Sequence, residues 1–147
     1  MSASTEDGAL SRRRKARELA LQFLYQLDQG GDADPIPHEA EFWARHPVDE
    51  AARHFASTIV RGVTANQVRI DRTISECTEH WDLDRMAVVD RNILRLAVYE
   101  LMCSAEVPPK VAINEAIEIA KKFGTQDSGR FINGILDRVH RELRPAS

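Results

Sequence analysis

A chain of 147 residues with 43% hydrophobic and 29% charged residues has the size and composition of one soluble domain, able to bury roughly two thirds of its unfolded surface and too short for a second catalytic domain. The formal net charge of -3 excludes a uniformly basic nucleic-acid coat, so a nucleic-acid site would have to be local. No stretch approaches the roughly 18 uninterrupted apolar residues of a membrane span, residues 1–11 lack a signal-peptide core, and Cys77 and Cys103 stand without CxxC spacing, which together predict a cytoplasmic protein with reduced thiols and no membrane partner.

Residues 1–10 read as a flexible polar tail, followed by a single all-helical domain over residues 11–147. Ala16, Leu19, Ala20, Phe23, Leu24 and Leu27 recur at the spacing of one buried helical stripe, predicting a first helix capped by Ser11 and running to Gln29, where Gly30 and Gly31 stop it. Asp34 to Pro37 reads as a loop, and a short helix over His38 to Arg45 ends before Pro47 because the residue before a proline avoids helical geometry. Phe55, Ile59, Val63, Asn66, Ile70, Ile74, Cys77 and Trp81 keep phase across Gly62, predicting one long helix that Gly62 bends without ending.

Asp82 or Asp84 is expected to cap a further helix with Met86, Val89, Ile93, Leu96, Ala97 and Leu101 on its apolar stripe and Pro108-Pro109 at its end. The next helix turns Ala116, Ile117, Ile119, Ala120 and Phe123 inward and stops at Gly124 in a left-handed cap. A last helix, capped by Asp127 or Ser128, carries Phe131, Ile135, Val139 and Leu143, with Ile132 and Leu136, before Pro145. No strand-like alternation of comparable length competes, so the fold class is all-α, about six or seven helices.

Two constellations carry chemistry. Arg12-Arg13-Arg14-Lys15-Ala16-Arg17 places five cations in six positions at a predicted helix start, where the helix dipole costs each roughly 0.3 to 1 kcal/mol. A cluster kept at that cost suits a phosphate, held by guanidinium forks beside first-turn amides; the alternative is a solvated arm. Thr125-Gln126-Asp127-Ser128-Gly129-Arg130-Phe131 is a polar loop entering a helix, where Arg130 can hold a phosphate and Phe131 can either stack a splayed base or pack in the core. Lys110, Lys121 and Lys122 would widen that basic surface. The five histidines and many carboxylates show no HExxH pair, phosphate-cradling glycine loop or nucleophile elbow, so the expectation is a binding protein, not an enzyme, with no metal and no cofactor. Asn114, with Glu115 beside it, reads as a cap or buried hydrogen-bonding anchor.

Residues 13–25 (Arg-Arg-Lys-Ala-Arg-Glu-Leu-Ala-Leu-Gln-Phe-Leu-Tyr), 93–101 (Ile-Leu-Arg-Leu-Ala-Val-Tyr-Glu-Leu), 107–124 and 130–137 resemble, in order and spacing, the transcription antitermination factor NusB family. The resemblance implies two small helical bundles that bind boxA, a short single-stranded element of ribosomal RNA transcripts, together with ribosomal protein NusE in an antitermination complex on elongating RNA polymerase. By motif position it implies RNA contacts from Arg13, Arg14 and Arg17, with Tyr25 further along, and from Asp127, Arg130 and Phe131; Lys122 joins these as an expected RNA contact. Asp90 and Arg91 fall on the surface that resembles the NusE-contacting side. Some relatives form homodimers covering the arginine-rich surface, and the sequence leaves that state open. Two alternatives are a protein-only helical adaptor and an RNA-targeting module related to the N-terminal domain of ribosomal RNA cytosine methyltransferases.

Overall fold

The computed structural model describes residues 2–79 and 82–143, and among these the chain forms seven α-helices, two short 3-10 turns and no strand. It folds as two compact units, Met1–Thr64 and Ala65–Ser147; length suggested one domain, and the family resemblance implied two small bundles.

In the first unit, α1 spans Ser2–Gly30, α2 Glu39–Arg45 and α3 Glu50–Ala65. Helix α1 buries the predicted stripe, Ala16 through Leu27, and its backbone is already helical ahead of Ser11, through the segment expected as a tail. Ser11 is therefore an interior residue, not a cap. The helix stops where two glycines were expected to stop it. Gly31 adopts a left-handed φ of 69°, and the Asp32 and Gly31 amides donate back to the Leu27 and Asp28 carbonyls at 3.1 and 3.3 Å. Beyond it, Asp32 Oδ1 accepts from the Asp34 amide at 3.1 Å and Asp32 Oδ2 meets His38 Nε2 at 2.5 Å, which fixes the link into α2. Phe42 of α2 stacks on Phe23 with ring centres 4.3 Å apart, and His46 stacks on Phe42 from the other end of α2. Asp49 caps α3 by accepting the Ala52 amide at 2.8 Å.

The long middle helix is two helices. Asn66 leaves helical geometry at φ -113° and ψ 16°, ending α3 at Ala65 and starting α4, Gln67–Glu76, while Gly62 stays inside α3. Steps of three and four residues survive a one-residue kink, so periodicity could not see it; Asn competes for backbone hydrogen bonds and tolerates such a junction. Trp81, the last residue of the predicted stripe, lies outside the described residues.

In the second unit, α5 spans Val88–Cys103, α6 Pro109–Phe123 and α7 Ser128–Leu143. Helix α5 packs against α4, α6 and α7, and α6 lies along α7. Its central position explains why Ile93, Leu94, Leu96, Ala97 and Val98 are all buried, wider than one stripe. Arg95, also buried, forks onto Asp71 of α4 with Nε–Oδ1 2.8 Å and Nη2–Oδ2 3.0 Å. Asp82 caps the 3-10 turn Leu83–Arg85, not α5, whose cap is Ala87 without a side-chain bond. Pro108-Pro109 likewise marks the start of α6, since α5 has already ended at Cys103 and Pro109 takes the first helical position, where its missing amide hydrogen costs nothing. Asn114 is an exposed residue of the α6 interior and Glu115 a buried one, so Asn114 is no cap.

Candidate nucleic-acid interface

The basic run lies well inside α1, because the helix begins at Ser2. The amides of Arg12 to Arg17 are consequently spent on helical hydrogen bonds, and neither a dipole penalty nor a first-turn phosphate nest operates there. What remains is side-chain chemistry. Arg12, Arg13, Arg14 and Lys15 are exposed, and Arg12 Nε donates to the Gly8 carbonyl at 3.3 Å. Arg13 and Arg17, four residues apart and so on one helical face, both hold their guanidinium carbon 5.2 Å from the ring centre of Phe55 in α3. Their environments differ: Arg17 is 1% exposed, so its head is not presented to a ligand, and its contact with Phe55 makes it a support. Tyr25, 42% exposed, follows about two turns further along α1.

The second constellation is the α6–α7 connection. Phe123, expected in the core, is 44% exposed, and Lys122 Nζ sits 5.2 Å from its ring centre. Gly124 does not form a left-handed cap; its φ of -93° and ψ of -165° are extended. Its need for glycine is steric, since a Cβ there would lie 2.5 Å from Ser128 Oγ and 2.8 Å from the Ala120 carbonyl oxygen. Ser128 Oγ accepts the Thr125 amide at 2.9 Å, so this hydroxyl ties down the loop instead of capping α7. The Asp127 carbonyl accepts the Phe131 amide at 3.1 Å, with Asp127 and Arg130 exposed and Phe131 half-buried.

Between α6 and α7 the loop encloses an open cavity of about 500 Å³ lined by Ile117, Lys121, Gln126, Gly129, Arg130 and Asn133, among others. Of the expected RNA contacts in this unit, Arg130 lines it, while Lys122, Asp127 and Phe131 do not. Lys121, expected to widen the basic surface, also lines it. Gln126 and Asn133 were not singled out as contacts by spacing arguments weighted to cations and aromatics, although positions 126, 129, 130 and 133 have the three- and four-residue steps of one face. A larger groove of about 720 Å³ lies between α2 and α3, lined by Trp43, Arg53, His54 and the Glu39–Arg61 pair. Its charges balance, and Glu39 holds the Arg61 guanidinium at 2.7 and 2.6 Å, raising its pKa, so it offers an anion much less. No expected site residue lines it.

Asp90 and Arg91 sit together in the first turn of α5. Asp90 is only 9% exposed, and Arg91 Nη1 donates to the Leu83 carbonyl at 3.1 Å, bracing the turn before α5. Among the described residues no group of three or more His, Cys, Asp and Glu side chains is placed to hold a metal ion, and no helix is long and apolar enough to cross a membrane.

Similarity to known proteins agrees with this architecture. The family model described as the NusB family matches residues 14–141. A transcription antitermination protein NusB of Anaeromyxobacter sp. (strain Fw109-5) is 50% identical over 137 residues, 91% of this chain and 93% of that protein. Among solved structures, NusB of T. maritima superposes with a TM-score of 0.81 at 42% identity, covering 90% of this chain and 93% of its own. A chain from a complex of the antitermination factors NusB and NusE with double-stranded RNA superposes with a TM-score of 0.80 at 27% identity, covering 90% of this chain and 98% of that one. With seven helices among the described residues, two units, an arginine-rich first helix and sequence identity running through both, this chain belongs to the NusB family.

Proposed function

We propose that this protein is a cytoplasmic antitermination factor that binds boxA single-stranded RNA of ribosomal RNA transcripts with ribosomal protein NusE and acts on elongating RNA polymerase. Its mode of action is binding without chemistry. The observation that carries the proposal is the cationic face of α1, where Arg12, Arg13, Arg14 and Lys15 are exposed and Arg13 is braced over Phe55. Arginine forks preorganised on an aromatic ring are suited to phosphate oxygens, and they carry no base information themselves. In the similar complex named above, NusB and NusE occur together with RNA, which supports both partners.

Roles divide by exposure. Arg13 and Arg14 contact phosphates, Arg17 holds Phe55 and Arg13 in place from beneath, and Tyr25 offers an exposed ring further along the helix. In the second unit Arg130 and Lys122 supply charge, Asp127 faces solvent on the same loop, and the half-buried Phe131 and exposed Phe123 offer ring surface for stacking. Asp90 and Arg91 form the NusE side by shaping the start of α5 more than by projecting from it.

Fluorescence anisotropy with a labelled boxA RNA and a scrambled control, with and without NusE and at two salt concentrations, tests the proposal. Preference for boxA that NusE sharpens and salt weakens is the expected result. Equal and negligible binding to both RNAs, even with NusE, would overturn it in favour of a protein-only adaptor.

A further inference from the structure

We propose that the cavity between α6 and α7 receives one unpaired nucleobase of the bound RNA and that Asn133 and Gln126 read its edge, an inference that rests on the RNA-binding function above. The lining is chemically selective. Its charged members are Lys121 and Arg130, with no carboxylate, so the cavity attracts a polyanion where the larger α2–α3 groove, with Glu39 and Glu50 facing Arg53 and Arg61, neutralises itself. Two cations alone would suit any phosphate.

The amides narrow the choice. Asn133 and Gln126 are exposed, and neither side chain is engaged in a hydrogen bond or ion pair among the described residues. Each presents a donor and an acceptor in one plane. A phosphate can use only the donors, whereas the edge of a base presents donors and acceptors side by side and pairs with an amide through both. Arg130, three residues before Asn133 and therefore its neighbour on α7, is placed to hold the phosphate next to such a base. Lys121 is held only by an exposed pair with Glu118 at 3.3 Å, a contact weak enough to be exchanged for RNA.

Gly129 keeps the cavity open. A Cβ built there would stand 3.8 Å from Ile117 Cγ2 and 3.8 Å from Lys121 Cγ, ordinary contact with two lining residues, so a methyl group fits without strain but adds bulk to the lining. Gly129→Ala therefore narrows the cavity by one methyl group without disturbing the fold, and alanine favours the helix it stands in.

The test measures binding of the full chain to a labelled boxA RNA and to a series in which each position is replaced in turn by the other bases. The wild type should penalise replacement at one position by roughly 5- to 150-fold, the worth of one bidentate base contact. Asn133→Ala and Gln126→Ala should flatten the penalty at that position and leave the others, and Arg130→Ala should weaken all sequences alike and reduce the salt dependence. Gly129→Ala should weaken binding while its thermal midpoint stays at or above that of the wild type. Retention of every positional penalty in Asn133→Ala, Gln126→Ala and the double variant, with wild-type binding intact, would overturn base reading in this cavity and leave RNA binding standing. Absence of RNA binding by the wild type at low salt, with NusE present, would instead overturn the RNA-binding function itself.

Discussion

Single residues show how closely side-chain type is tied to local geometry. Gly124→Ala forces a Cβ to within 2.5 Å of Ser128 Oγ and 2.8 Å of the Ala120 carbonyl oxygen, and backbone cannot retreat as a flexible side chain can. That substitution should lower stability by about 1 to 3 kcal/mol, read as a shift of the urea midpoint. Gly134 is the internal contrast, since nothing lies within 4 Å of a Cβ built there and the residue is inside α7. Gly134→Ala should raise stability by up to about 1 kcal/mol in the same measurement. Both glycines look alike in sequence. Which one tolerates a methyl group depends on the residue four places further along the chain in one case and on open solvent in the other.

Arg17 makes the same point for function. Its spacing from Arg13 placed both on one helical face, which was legible, but the difference in their exposure was not, because it depends on what covers each position. Replacing Arg13 and Arg14, the proposed phosphate contacts, with glutamate should weaken binding to all RNA sequences and flatten the salt dependence. Phe55→Ala should weaken RNA binding with α1 still helical by circular dichroism, because the ring braces Arg13 without being charged itself. Unaltered binding in Phe55→Ala would remove the ring from the site.

Among the elements, the link between α1 and α2 carries a pH dependence. The His38 ring beside Asp32, followed by the Asp34 amide, holds the Asp32 carboxyl below its ordinary value. A group depressed in the folded state adds stability above its unfolded pKa of about 3.9 and loses that contribution as pH falls through its lower folded value. Stability should thus decline on acidification in that window. His38→Ala should move the Asp32 titration, followed by carboxyl NMR shifts, upward towards the unfolded value; an unmoved titration would show that the His38 contact does not hold in solution. Asp32 is exposed, so the sign of the change matters more than its size.

Element boundaries also show what a hydrophobic pattern conveys. The α1 stripe from Ala16 to Leu27 was readable because burial repeats there at the period of the helix, whereas central α5 is buried without a break from Asn92 to Val98 and Leu101 is only half-buried. Helix ends were less readable. Asp82 was a sound cap for whatever followed it, and a 3-10 turn followed, with α5 beginning only at Val88. Phe123 fits the apolar stripe of α6 by spacing, yet it is the last residue of the helix, and the chain leaves before any neighbour covers it. The same exposure turns a residue expected to stabilise the core into one available for a base.

For the whole molecule, the proposed function predicts a collective electrostatic signature. If about four phosphates are neutralised, the single-strand slope of roughly -0.7 per contact lowers affinity about fiftyfold between 50 and 200 mM salt. Measured slopes near zero would be incompatible with the arginine face as the principal contact. The sequence by itself determined the helical class, the core stripes, the family and the local concentration of positive charge in a chain of net charge -3, because these follow from residue type and short-range periodicity. Tertiary structure alone decided that Arg17 is inside while Arg13 is outside, and that Gln126, Gly129, Arg130 and Asn133 surround one cavity. Burial and enclosure depend on which distant segments arrive at a position, and no local period records that.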